Sequence, residues 1–258
     1  MSDSSYQNAP LGIGAILGES AGLLFSNFLA ACGIALIPIA IGTLISVAVF
    51  GVDVAVGQGP DPAAIDESYF INFGLTFFIE LIAYSLATAM LVSFAYDVKL
   101  GRSKRLSSYV NSVIGNLLPL IVMAVVSYIL IVIGLSLLIL PGLWLYAVFS
   151  LIVPVIVVER AGFGAMGRSA ELTKDYRWPI VGLLIVMFIV MFIISAIFGL
   201  IVGFISALVG GQALLLILNI VTSTVGFAFG CIMIALLYAR LRELKEGISV
   251  DHLADVFS

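Results

Sequence analysis

The sequence predicts an all-α, polytopic membrane protein. Six transmembrane helices form three units, each an interfacial helix followed by a hairpin. Three observations predict this fold. Of the 258 residues, 62% are hydrophobic and only 10% are charged, whereas a soluble domain carries about a quarter charged residues. With a mean hydropathy of +1.26, polar surface is too scarce to cover a water-soluble globule, so the bilayer must be the solvent. The apolar residues fall into six runs, and all 11 Lys and Arg residues lie in three short segments outside them.

The elements follow in chain order. Residues 1–10 lack a basic n-region followed by a short apolar core and a small-residue cleavage site, so no cleaved signal is expected. A less hydrophobic segment, 12–27, reads as an interfacial helix. A helix needs about 20 apolar residues to cross roughly 30 Å of hydrocarbon, and the runs at about 29–50 and 70–95 meet that requirement. They enclose the loop 51–69, which carries Asp53, Asp61, Asp66 and Glu67 and no base. A second short segment, 104–116, precedes runs at about 117–139 and 142–158. Pro141-Gly142 is expected to stop the third span and open a tight turn. The short fourth span then needs tilt or a locally thinned bilayer. A third short segment, 163–176, precedes runs at about 179–208 and 213–238, and a cytoplasmic tail is expected over 239–258.

Orientation follows from the bases. Lys99 to Arg105, Arg160 to Arg177 and Arg240 to Lys245 all fall on one side of a six-span map, and the positive-inside rule makes that side cytoplasmic. Both termini are then cytoplasmic, and the acidic loop lies outside. Tyr96, Tyr109, Tyr176, Trp178 and Tyr238 are expected as anchors at the inner boundary, with Tyr69 and Trp144 at the outer one.

The threefold organisation has a sequence trace. Gly18-Glu19-Ser20-Ala21-Gly22-Leu23 and Gly167-Arg168-Ser169-Ala170-Glu171-Leu172 match as G-x-S-A-x-L. In the third segment Met166, Ala170 and Thr173 are expected to face inward, with Arg168, Glu171 and Asp175 toward water. That pattern suits a helix on the cytoplasmic leaflet. Arg168, Lys174, Arg177 and Trp178 are its expected interfacial anchors, with Arg168 paired to Glu171 one turn on.

Candidate chemistry is sparse. The single histidine, His252, sits in a polar tail with Asp251 and Asp255, so no histidine pair is available for a metal or a proton relay. Phosphate-binding, nucleophile-elbow and zincin motifs are absent. Cys32 and Cys231 fall in apolar runs and read as packing residues. Glu80 is the one ionisable group deep in a span, and such residues are functional suspects. With no base in any span it is expected neutral, and interhelical hydrogen bonding is the alternative to a coupling role. Tyr84 lies one turn further along the same face, and Pro38 interrupts the first span. Asn219 and Thr222, with Ser223 and Thr224, make a polar patch on the last span. Gly199-x-x-x-Gly203 and Gly226-x-x-x-Gly230 are close-approach motifs that lie at different depths, so each must pack on some other helix.

The stretch Pro141-Gly142-Leu143-Trp144, Pro154, Glu159, Ala165, Arg168, Ser169, Leu172, Thr173 and Trp178 resembles a known pattern. It is similar to the bacterial family named for the membrane domain of glycerophosphoryl diester phosphodiesterase. That resemblance, specific over about 141–185, implies a six-helix fold with no agreed activity. The phosphodiesterase barrel that gave the family its name, with its histidines and metal-binding acids, is missing here. No cofactor and no metal are therefore expected. The expected role is a non-enzymatic protein of the bacterial inner membrane: scaffold, assembly factor or accessory subunit. Its partners would be the lipid bilayer and other membrane proteins or itself, and not nucleic acid. The alternative is a small transporter or channel using Glu80 and the patch around Asn219.

Overall fold

The computed structural model describes residues 10–57, 59–102, 106–209 and 211–247. The polar tail with Asp251, His252 and Asp255 lies outside them. Among the described residues all regular elements are helical. Six helices are long and apolar enough to cross a bilayer: Phe28–Phe50, Glu67–Lys99, Leu117–Leu137, Ile139–Glu159, Arg177–Ile205 and Gln212–Glu246.

The first unit comprises α1 (Ile13–Ser26), α2 (Phe28–Phe50), a single turn α3 (Val52–Ala55) in the acidic loop, and α4 (Glu67–Lys99). α1 ends at Asn27, whose side-chain amide donates to the Leu23 carbonyl at 3.0 Å. Asp66 caps α4, its carboxylate accepting from the Tyr69 amide at 2.8 Å, as a helix N-terminus with orphan N–H groups requires.

The second unit repeats the device. α5 (Leu106–Gly115) ends at Asn116, whose amide donates to the Ser112 carbonyl at 2.8 Å, and α6 (Leu117–Leu137) follows. α7 (Ile139–Phe149) and α8 (Ile152–Glu159) together make the fourth span. The third unit is α9 (Ala165–Leu172), α10 (Arg177–Val209) and α11 (Gln212–Glu246).

Two expected boundaries are corrected. Pro141-Gly142 is not the turn. The chain breaks at Leu138, which is extended at φ −163° and ψ 151°, and Pro141 lies in the first turn of α7. A helix's first turn needs no N–H from proline. Gly142 instead serves packing. A Cβ on it would lie 2.7 Å from the Leu135 backbone nitrogen, so α6 and α7 approach at Gly134 and Gly142 as no larger residue would allow. The expected tail at 239–258 is also revised, because α11 continues to Glu246 and stops at Gly247, φ 65°. Nothing before that glycine breaks the helix, and Arg240–Glu243 and Arg242–Glu246 support it at helical spacing.

The core lies where α2, α4 and α11 pack on one another. Ala31, Ala35, Ala89, Ala95, Ala228 and Ala235 are fully buried or nearly so. Small side chains let helix backbones approach, which supplies dispersion contacts where lipid offers no hydrophobic drive. On α4 and α11, Tyr84 meets Phe227 and Thr88 meets Cys231. Both pairs have the same offset along helices that run parallel.

Candidate functional site: the ion network at the basic end

Contacts gather the three basic segments at one end of the bundle. Lys99 pairs with Glu19, Lys245 with Asp175, and Arg168 with Glu159 and Glu246. The acidic loop meets the opposite end, where Gln212 donates to Asp53 at 2.5 Å.

Arg168 is the centre of the densest polar cluster. Its Nε donates to Glu159 Oε2 at 2.8 Å and its Nη2 to Glu159 Oε1 at 3.2 Å, a bidentate pair, and Nη2 also reaches Glu246. Glu159 accepts a third bond from the Tyr238 hydroxyl at 2.8 Å, while Arg242 holds Glu246 at 2.9 Å. Three elements, α8, α9 and α11, are joined through one guanidinium. Its side chain is 26% exposed, against 19% for Glu159 and 22% for Glu246. Hydrogen bonding to Glu159, then to Glu246, raises the Arg168 pKa above its already high ordinary value despite partial burial.

This geometry corrects the expected faces of the third segment. Residues 165–172 are helical as expected, but the buried stripe is Ala165, Ser169, Leu172 and Thr173. Met166 and Ala170 are only half-buried. Arg168 turns inward instead of facing water. Glu171 is reached only as a third, longer contact, 3.6 Å from Nη1, and stays exposed with Asp175. A bidentate pair with a half-buried carboxylate outcompetes a flexible surface pair in high dielectric.

Ser169 anchors the helix from its other side. It is fully buried, and its hydroxyl donates to the Val148 carbonyl at 2.6 Å. That carbonyl lies just before the break at Ser150–Leu151. The break arises because Pro154 has no N–H to give the Ser150 carbonyl. Docking of α9 thus uses the backbone that the broken span exposes.

The remaining expected anchors divide. Trp178 is 63% exposed, and Lys174 is exposed, as membrane-interface groups should be. Arg177 instead lies over the Trp144 ring, 4.6 Å from its centroid, and donates to the Ala170 carbonyl at 3.2 Å. Trp144 therefore sits within side-chain reach of the basic end and is not an anchor at the opposite face. Tyr109, Tyr176 and Tyr238 are buried core groups.

Inside the bundle, the Glu80 carboxylate packs against α2, where a Cβ at Gly42 would meet its Oε1 at 3.0 Å. Among the described residues it enters no hydrogen bond or ion pair. The offset shared by Tyr84–Phe227 and Thr88–Cys231 puts it level with Ser223 and Thr224. The Thr224 hydroxyl is buried with no hydrogen-bond partner. Asn219 is exposed on the outside of α11 and Thr222 is half-buried, so the patch does not continue the Glu80 site. Gly226 and Gly230 take the Met191 and Met187 side chains of α10, at 2.7 and 3.9 Å from an added Cβ. Gly199 and Gly203 have open space, with nothing within 4 Å. The two glycine motifs do not face each other, as their depths require.

The fold and this network define a class: a polytopic helical membrane protein whose short helices are fastened to the ends of its spans. Comparison with known protein families, curated proteins and solved structures finds no match.

Proposed function

We propose that the protein acts by packing and assembly, as a non-enzymatic scaffold or accessory subunit of a membrane complex. The observation that carries this reading is the network around Arg168. The strongest concentration of charge in the described chain is consumed in joining three helices, with Glu159 accepting three hydrogen bonds. A second feature supports partners within the bilayer. Residues 192–201 of α10 are mostly apolar and exposed on all sides, including Phe192, Ile197, Leu200 and Ile201, and Phe204 beyond them is exposed too. Gly199 and Gly203 on that helix leave room for another backbone. The occupant is a helix of another membrane protein or of a second copy.

Gathering of the bases at one end supports a cytoplasmic location for that end and for both termini. The resemblance over 141–185 supports a bacterial inner membrane. Of the residues carrying it, Trp144, Glu159, Arg168 and Ser169 fasten the second unit to the third, and Gly142 packs α7 on α6 within the second. The test is purification in mild detergent with photocrosslinkers at Leu200 and Phe204, exposed beside the two glycines. A crosslinked neighbour that Gly199→Leu/Gly203→Leu abolishes supports the reading, and an uncrosslinked monomer with both probes counts against it.

A transporter is the second reading, favoured by the unpartnered Glu80 carboxylate beside Gly42 and level with the unpartnered Thr224 hydroxyl. Proteoliposome uptake that is lost in Glu80→Gln would move the assignment there.

A further inference from the structure

We propose that the polar cavity between α4, α5 and the end of α8 binds a phosphodiester group, held between Arg102 and Arg160. The cavity measures about 740 Å³, and Asp97, Arg102, Ser108, Asn111, Ser112 and Arg160 are among its lining residues. Among the described residues neither guanidinium enters an ion pair or a side-chain hydrogen bond, although they come from connections 58 positions apart in the chain and converge on one space.

The contrast with the rest of this end gives the two arginines their meaning. Among the other described bases of this end, Lys99, Arg168, Arg240, Arg242 and Lys245 are ion-paired and Arg177 is held by the Trp144 ring and the Ala170 carbonyl, while Lys174 is exposed and lines no cavity with a second base. A neighbouring cavity of about 330 Å³ is lined by Glu19, Lys99, Arg240 and Glu243, and these pair among themselves. The short helices of the first and third units are fastened by charge, α1 through Glu19 and α9 through Arg168. α5 has no charged residue. Its unit leaves two cations facing a cavity where the others place a completed ion pair.

The ligand class follows from the lining. Arginine's planar fork suits phosphate oxygens, and the hydroxyls of Ser108 and Ser112 with the amide of Asn111 supply neutral donors. Asp97 also lines the cavity, so its carboxylate disfavours a ligand of high negative charge. A phosphodiester monoanion meets the two guanidiniums with a single charge, whereas the second charge of a phosphomonoester would be set against the carboxylate. The group belongs to a phospholipid headgroup or to a water-soluble diester.

The test uses the full chain in neutral detergent, titrated with short-chain phosphatidylglycerol and, separately, with deacylated glycerophosphoglycerol. Native mass spectrometry counts the bound molecules. One equivalent should bind, more weakly as salt rises. Binding should fall at least tenfold in Arg102→Gln/Arg160→Gly. Arg160 has φ 56°, a backbone region glycine adopts without strain, so the variant removes the guanidinium without stressing the fold. Arg240→Gln removes an ion-paired base elsewhere and should bind as the parent does. Binding of the acylated form alone assigns a lipid headgroup, and equal binding of both assigns a soluble diester. Wild-type affinity in the double variant, equal loss in Arg240→Gln, or no binding of either probe overturns the proposal.

Discussion

Replacing Arg168 with methionine keeps the stem and removes the group that joins α8, α9 and α11. Glu159 and Glu246 are then left facing each other without the cation between them, 19% and 22% exposed. Breaking a buried ion pair by removing one partner costs about 3–5 kcal/mol. Partial exposure and the help that Arg242 gives Glu246 reduce this to about 2–4 kcal/mol. Such a loss lowers the docked-to-undocked ratio of α9 by roughly thirty- to a thousand-fold. Hydrogen exchange in nanodiscs should therefore show faster exchange across residues 165–172, and a protease at the basic end should cleave there first. Adding Glu159→Gln and Glu246→Gln should recover part of the loss, because neutral amides do not repel each other. Arg168→Glu should loosen the segment more than Met without inverting the protein, since the other basic segments still set orientation. Unchanged protection of α9 in Arg168→Met would show that Ser169 and apolar packing alone hold it, refuting the network as the fastener.

Four further outcomes are expected. Hydrogen bonds from Ser68 and the Tyr69 amide hold Asp66 below the usual carboxylate range. Its folded pKa is thus depressed, so the cap is complete above the ordinary value and is lost as pH falls through the lowered one. The Tyr69 amide should exchange faster in that acidic window, and Asp66→Ala should abolish the pH dependence. Gly142→Ala drives a methyl against the Leu135 backbone and should cost about 1–3 kcal/mol in detergent unfolding, whereas Gly226→Ala meets only the mobile tip of Met191 and should cost less. In a cysteine-free background, Pro60→Cys should react with an impermeant thiol reagent from the periplasm and Ser103→Cys should not; the opposite labelling would overturn the orientation. Glu80→Gln should fold about as well as the parent, and severe loss of folded protein would show that the negative charge itself is needed.

The spans and their three-unit order were legible because hydropathy and helix length are local properties. The expected edges at 29–50 and 117–139 lie close to Phe28–Phe50 and Leu117–Leu137. Errors arose where partners distant in sequence decide the outcome. Pro141 allowed two readings, a stop or a first-turn residue, and only the approach of Gly142 to Leu135 selects the second. Helical spacing offered Arg168 just one acid, Glu171, whereas Glu246 lies 78 positions away and Glu159 across a chain reversal. Trp144 and Arg177 were each read from their own flanks as anchors on opposite faces, yet the bend at Ser150–Leu151 and the reach of the guanidinium bring them together. One usable signal was missed: Glu159 and Glu246 end successive inward-running spans at the boundary where Arg168 begins its helix.

The G-x-S-A-x-L match acquires a physical meaning from these contacts. Ser20 and Ser169 occupy the same motif position, and both are fully buried. Ser20 donates to the Ile16 carbonyl of its own helix at 2.7 Å, while Ser169 donates across to Val148. The residue before each serine carries the charge. Glu19 reaches Lys99 at the end of α4, and Arg168 reaches Glu246 at the end of α11. In both units that partner closes the unit's second span, so the motif fastens the start of a hairpin to its finish. The sign of the pair is reversed between the two units, which a Coulomb fastener tolerates and a catalytic group would not. The two copies of the motif therefore share burial of the serine and a charge opposite to that of the span end. α5, lacking both features, leaves the second unit's basic end open at Arg102 and Arg160.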